Sequence, residues 1–263
     1  MTRRADNEEL LAGPHAVYEA LAAGRRTIRR ILIARHEQSG TVEGLRKLAR
    51  ERGIALDERP RQELDRYLPG AAHQGVIAEA GPFPYLEPED LLERALADAG
   101  HRFLVALDGV QDPQNLGAII RSAEAAGADG LIVPRDRAAG VSPAAARASA
   151  GAAEHLPIAQ VTNLANFLTA ARDSGFWSVG TDAVQGQNLF DAELTGPLVL
   201  VIGGEGKGLR ALTRERCDSL IRIPMHGRIA SLNASAAAAV CLFEVARQRG
   251  VSRGSENVRL TGQ

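Results

Sequence analysis

The sequence predicts an α/β protein built on a mostly parallel sheet, with a smaller α/β unit ahead of it. Three observations carry that expectation. From residue 103 onward, apolar strand-like runs alternate with helical segments, the order expected of parallel strands and their crossover helices. Those runs are continuously apolar, as suits strands covered on both faces. Between the halves lies the proline-rich stretch GPFPYLEPED, residues 81–90, which has no helical or strand period.

Residues 1–9 read as a flexible tail. The unit over 10–80 opens with a helix over 14–23, where Pro14 suits a first turn. A strand over 28–33 follows, then an amphipathic helix over 41–52 stopped by Gly53, a strand over 54–56, a helix over 61–67 and a strand over 75–80. Residues 81–98 are assigned to a linker, with a helix over 91–99 leading onward. The larger domain, 99–250, has strands over 103–107, 130–133, 156–161, 176–179, 198–202 and 220–223. Its helices are expected over 116–126 with Asn115 as cap, 144–150 after Ser142 and Pro143, and 164–173 after Asn163. Pro224 ends the last strand because it has no N–H for a ladder. Gly227 lets the chain turn, Ser231 suits an N-cap, and 232–249 reads as a long helix beginning with small residues. The polar stretch 251–263 reads as a second flexible tail.

Composition narrows the function classes. The formal net charge of −1 over 263 residues argues against bulk electrostatic binding of nucleic acid, while leaving room for a local patch. Arginine supplies nearly all the positive charge, Lys47 and Lys207 being the only lysines, and Arg25, Arg26, Arg29, Arg30 and Arg35 cluster early. Such a cluster fits a solvated surface or forks for phosphates. Cys217 and Cys241 are too few for a disulfide framework and read as buried, reduced thiols. No histidine spacing suggests a metal ligand set, so no metal is expected. Without an apolar signal core or a membrane-length apolar run, the chain reads as cytoplasmic.

Three loops at strand ends carry the candidate chemistry. In LDGVQDPQNLGAIIR, residues 107–121, Asp112 and Pro113 turn the chain and Arg121 projects beside an apolar helix face. In LVLVIGGEGKGL, residues 198–209, glycines let backbone amides approach a ligand. The spacing matches neither a phosphate-binding P-loop nor GxGxxG, which disfavours an NTPase or a Rossmann oxidoreductase. In the third, residues 223–247, Ser231 and Asn233 stand at the mouth of an apolar helix after a strand end, where open α/β sheets place ligands.

In combination, DPxNxGxxxRxA at 112–123, GGExxGL at 203–209 and IPMxGxxxSLNxSxA at 223–237 closely resemble the three motifs of the SpoU (TrmH) branch of the SPOUT RNA 2′-O-ribose methyltransferases. The resemblance covers about 103–249. Ahead of it, GPHAV at 13–17 and HQG at 73–75 resemble the substrate-binding domain of bacterial 23S rRNA guanosine-2′-O-methyltransferases, whose fold is shared with RNA-binding ribosomal proteins. The family often has Val where Ala234 and Ala236 stand, which alters packing only.

The resemblance implies S-adenosylmethionine as donor, a homodimer, RNA as substrate (23S rRNA first), and a C-terminal trefoil knot. It places Gly203, Ile223 and Leu232 at the donor, and Arg121, Asn115, Glu205, Ser231 and Asn233 at the catalytic and target-binding positions. Arginine is a poor base, and orienting an RNA phosphate suits Arg121 better. Two alternatives remain at this point: a tRNA 2′-O-methyltransferase of the same branch, which usually lacks the N-terminal unit, and an inert RNA-binding assembly factor with the same fold.

Overall fold

The computed structural model describes residues 9–70, 72–97, 102–206, 208–228 and 231–250. The two expected tails lie outside these residues, apart from Glu9.

The first unit runs β1 (Glu9–Ala12), α1 (Pro14–Ala23), β2 (Ile28–Ala34), α2 (Gly40–Glu51), β3 (Ala55–Arg59), α3 (Arg61–Tyr67) and β4 (Val76–Ala80). Its sheet has the order β1-β4-β2-β3, with β2 and β3 parallel and β4 antiparallel to both neighbours. β1 has no counterpart in the sequence pattern: four residues are too few to show a period, and pairing with β4 is what orders them. α2 forms as its pattern demands, with Val42, Leu45 and Ala49 buried and the Ser39 side chain accepting from the Val42 N–H.

The second unit begins with α4 (Pro88–Ala97), which starts inside the proline-rich stretch and buries Leu91, Leu92 and Ala95. There follow β5 (Phe103–Asp108), α5 (Pro113–Ala125), β6 (Gly130–Pro134), α6 (Pro143–Ala148), β7 (Ile158–Val161), α7 (Leu164–Asp173), β8 (Trp177–Thr181), β9 (Gln187–Asn188), β10 (Leu198–Gly203), α8 (Ala211–Arg216), β11 (Ser219–Arg222) and α9 (Ala234–Gln248). The strand order is β7-β6-β5-β10-β8-β11-β9, every pair parallel. Alternate β5 side chains feed two cores: Phe103, Val105 and Leu107 join α5, α6 and α9, whereas Leu104 and Ala106 join α4 and α7. β9 and α8 carry no sequence signal, being respectively two polar residues and one short charged turn.

Two helix starts differ from expectation. Asp112, not Asn115, caps α5, accepting from the Gln114 N–H at 3.0 Å with Pro113 in the first turn. Asn233, not Ser231, caps α9 by accepting from the Ser235 and Ala236 N–H groups, so Leu232 precedes the helix.

The two units share one continuous core and a buried ionic joint. Arg26 Nε donates to Glu154 at 3.1 Å, Arg26 Nη2 pairs with the other Glu154 oxygen, and the guanidinium lies 5.1 Å from the centre of the Phe83 ring. Arg25 Nη1 donates to the Glu154 and Leu156 carbonyls at 3.3 and 3.1 Å. Gly151, at φ 93°, lets α1 approach, since a Cβ there would collide with the Glu19 side chain. The arginine cluster is therefore divided: Arg25 and Arg26 hold the joint, Arg30 forks onto Glu79, and Arg35 is exposed. Among the described residues, no helix is long and apolar enough to cross a membrane.

Candidate active site

The site forms where β5, β10 and β8 reach their C-terminal ends. β5 and β10 run in register to the pair Asp108 and Gly203, after which the Gly204 N–H donates to the Asp108 carbonyl at 2.9 Å. Side chains would block this crossing: a Cβ on Gly204 would collide with the Gly109 carbonyl, and one on Gly203 would fall 2.5 Å from the Gly208 carbonyl carbon. The glycine loop thus folds back on itself and leaves an open pocket of about 190 Å³.

Gly203, Glu205, Ile223, Ser231 and Leu232 all line that pocket. Apolar walls come from Ile221, Ile223, Leu232 and Ala237, with Thr181, Asp182 and Cys241 alongside. The Thr181 hydroxyl accepts from the Gly203 N–H at 3.3 Å, tying β8 to the glycine loop. Burial raises the Asp182 carboxyl, but the Gln185 and Val184 N–H groups and the Arg214 guanidinium outweigh it and hold the pKa below the usual range. Burial pushes the Cys241 thiol up to about 12, so it stays protonated beside the pocket.

Along the rim, residues far apart in sequence join in one hydrogen-bonded chain. Asn233 Nδ2 donates to Asn115 Oδ1 at 3.1 Å, and Asn115 Nδ2 donates to Glu205 Oε1 at 2.7 Å. The Gln111 N–H reaches the other Glu205 oxygen at 3.3 Å. A carboxylate accepts only, which fixes the Asn115 amide and in turn the Asn233 amide. Asn115 is buried, whereas Glu205 and Asn233 are exposed and face outward.

Arg121 stands apart. It is exposed on α5 and lines a different groove, with His15, Glu19, Glu124 and His155, at the seam between the two units. Seven of the eight expected residues are thus gathered at the pocket or its rim, and one is not. Sequence reasoning missed Thr181, Asp182 and Cys241. The first two were findable as polar residues ending an apolar strand. Asp108 was also missed: it is buried, accepts from the Arg210 N–H at 2.7 Å, and has Arg210 Nε 3.2 Å away without hydrogen-bond alignment.

A parallel sheet with a glycine crossing at its strand ends, an apolar pocket behind it and a fixed polar rim defines an α/β protein that holds a small organic molecule against a second, polar reactant. The chain belongs to the SpoU rRNA methylase family, whose model matches residues 102–243. Residues 10–86 match the model for RNA 2′-O ribose methyltransferase substrate binding. The chain is 41% identical over 245 residues to the 23S rRNA (guanosine-2′-O-)-methyltransferase RlmB of Photobacterium profundum, covering 93% of this chain and 100% of that protein. Among solved structures it resembles the SpoU methyltransferase AviRb from Streptomyces viridochromogenes in complex with the cofactor AdoMet, with TM-score 0.75, 33% identity and coverage of 92% and 91% of the two chains. The AdoMet-bound rRNA methyltransferase from Sinorhizobium meliloti gives TM-score 0.74 and 28% identity, covering 92% of this chain and 87% of that one.

Proposed function

We propose that this protein transfers a methyl group from S-adenosylmethionine to the 2′-hydroxyl of a guanosine in 23S rRNA. The observation that carries the reading is the chain Asn233–Asn115–Glu205 at the rim of the apolar pocket, which joins residues from three separate motifs. The Photobacterium relative, similar along its whole length, supports the substrate, and AviRb with its bound AdoMet supports the donor.

The pocket suits that donor. Gly203 and Gly204 present bare backbone, and Ile223, Leu232 and Ala237 offer apolar faces for a flat heterocycle. The donor supplies a methyl group on a positively charged sulfonium, open to in-line attack by an oxygen. The protein's task is then to position the ribose and handle one proton. Asn115 and the Gln111 N–H hold Glu205, whose remaining lone pairs face the rim and orient the target ribose. Asn233 braces Asn115, and Ser231 lies beside the reacting groups. Arg121 holds an RNA phosphate with its fork.

Arg121 reaches this chemistry in a homodimer, because within one chain it lines a separate groove. The exposed Val240 and Phe243, one turn apart on α9, suit the interface with the second copy. The proposal includes the family's trefoil knot, with α9 passing beneath the preceding loop. Residues 10–80 bind RNA, 81–98 connect the units and supply α4 to the second, and 99–250 carry the reaction in the cytoplasm.

Calorimetry with S-adenosylmethionine, ATP and NAD, followed by 2′-O-methylation mapping of RNA from a deletion strain, tests the reading. Donor binding alone among the three, and one unmethylated 23S guanosine restored by the purified protein, are expected. Binding of ATP without the donor would overturn it, and a lost methyl group in tRNA would move the substrate to that class.

A further inference from the structure

A second cleft opens where β6 and β7 leave the sheet, at the edge that carries the donor pocket. It is lined by Asp136, Arg137, Thr162, Asn163, Arg210 and Leu212, among others, and has a volume of about 290 Å³. Arg137 sits at φ 56°, a left-handed conformation that glycine would adopt without strain. Its exposed side chain takes no hydrogen bond or ion pair among the described residues. A strained arginine with an idle guanidinium points to use of that side chain for something outside the fold.

Arg210 ties the cleft to the active site. Its backbone N–H and Nε face Asp108, while Nη2 lies 3.5 Å from where a Cβ on Gly109 would stand. The guanidinium therefore lies over the turn on which Gly204 packs, and Arg210 also lines the cleft. Leu212, 49% exposed, adds an apolar face to the same lining. Among the described residues, Asp136 is the one carboxylate in the lining, and Arg210 already faces the buried Asp108, which leaves the guanidinium of Arg137 as the fork free for an anion.

We infer that this cleft holds a nucleotide of the substrate RNA flanking the methylated one. Its phosphodiester forks onto Arg137, and its ribose or base lies on Leu212. Singly charged phosphodiester, planar fork and apolar face match a nucleotide in both charge and shape. The inference rests on the RNA methyltransferase reading and extends it to where the strand runs after leaving the active site.

The test uses the full chain and the 23S rRNA fragment that the wild type methylates, with Arg137→Gly, Arg137→Glu and Leu212→Ser. Arg137→Gly relieves the left-handed backbone, so it should melt no lower than wild type and bind S-adenosylmethionine normally. Its RNA affinity should fall about tenfold, and the dependence of log affinity on log salt should become shallower by about one. Arg137→Glu should bind RNA more weakly still, with the defect in KM for RNA more than in kcat. Leu212→Ser should weaken binding without changing the salt slope. If the wild type methylates the fragment and both Arg137 variants keep its affinity and slope, the cleft assignment alone fails. If the wild type neither binds nor methylates RNA, the proposed function fails and takes the cleft with it.

Discussion

Asn115 uses one amide for two contacts, donating to Glu205 and accepting from Asn233, and this is why it leaves the helix cap to Asp112. Sequence alone marks Asn115 as a polar residue at a helix start, which is what a cap looks like; only the approach of the glycine loop shows it holding a carboxylate. Gly203, Glu205, Ile223, Ser231 and Leu232 were named through the resemblance to the three family motifs, and the pocket they line lies at strand ends, where a parallel sheet places its ligand site. The position of Arg121 was not legible in that way, since a helix surface says nothing about which cavity it borders. Replacing Arg121 with Ala removes a fork from an exposed surface, so folding, donor affinity and self-association should survive. Single-turnover methyl transfer to the rRNA fragment should fall by roughly 10²–10⁴-fold, the loss expected for a positioning or acid–base group. Lys should rescue little, because a point charge does not reproduce a bidentate contact. Near-normal transfer by the Ala variant would remove Arg121 from the mechanism.

Elements with a strong period or an apolar run came out of the sequence within a few residues: α1, α2, β5, β6, α7 and β10 all lie close to where their patterns put them. Those held by tertiary contacts did not. β1 exists because β4 pairs with it, and β9 because β11 does. The segment between α6 and β7 carries the joint with the first unit, and its Glu154 is buried at 1% exposure against Arg26. Arg26→Ala would leave that carboxylate buried with Arg25 as its one cation among the described residues, acting through the backbone and at longer range. Loss of one partner of a buried pair costs about 3–5 kcal/mol, which urea denaturation should resolve. The double variant Arg26→Met, Glu154→Leu should recover much of it, since apolar groups of similar volume replace such pairs at little cost. If Arg26→Ala unfolds at the wild-type urea concentration, the joint contributes nothing to stability.

At the scale of the molecule, the separation of Arg121 from the donor pocket predicts complementation between damaged copies. Arg121→Ala and Glu205→Ala should each be inactive alone. Mixed and refolded together, they should regain about a quarter of wild-type transfer, because in a two-fold dimer half the molecules are hybrids and each hybrid has one intact site. A mixture as inactive as its parts, with hybrids demonstrated by a tag on one variant, would place Arg121 and Glu205 in the same copy. The seating of β10 between β5 and β8 bears on how the chain is made. β5 can pair with β6 as soon as residue 134 leaves the ribosome, but its other edge waits for residues 198–203. At typical elongation rates of about 5–20 residues per second, that bare apolar edge persists for about 3–14 seconds during synthesis. The newborn protein is thus a natural client for chaperones that shield unpaired strands, and crowded translation of its message is the condition under which misfolded pairs of nascent chains should first be seen.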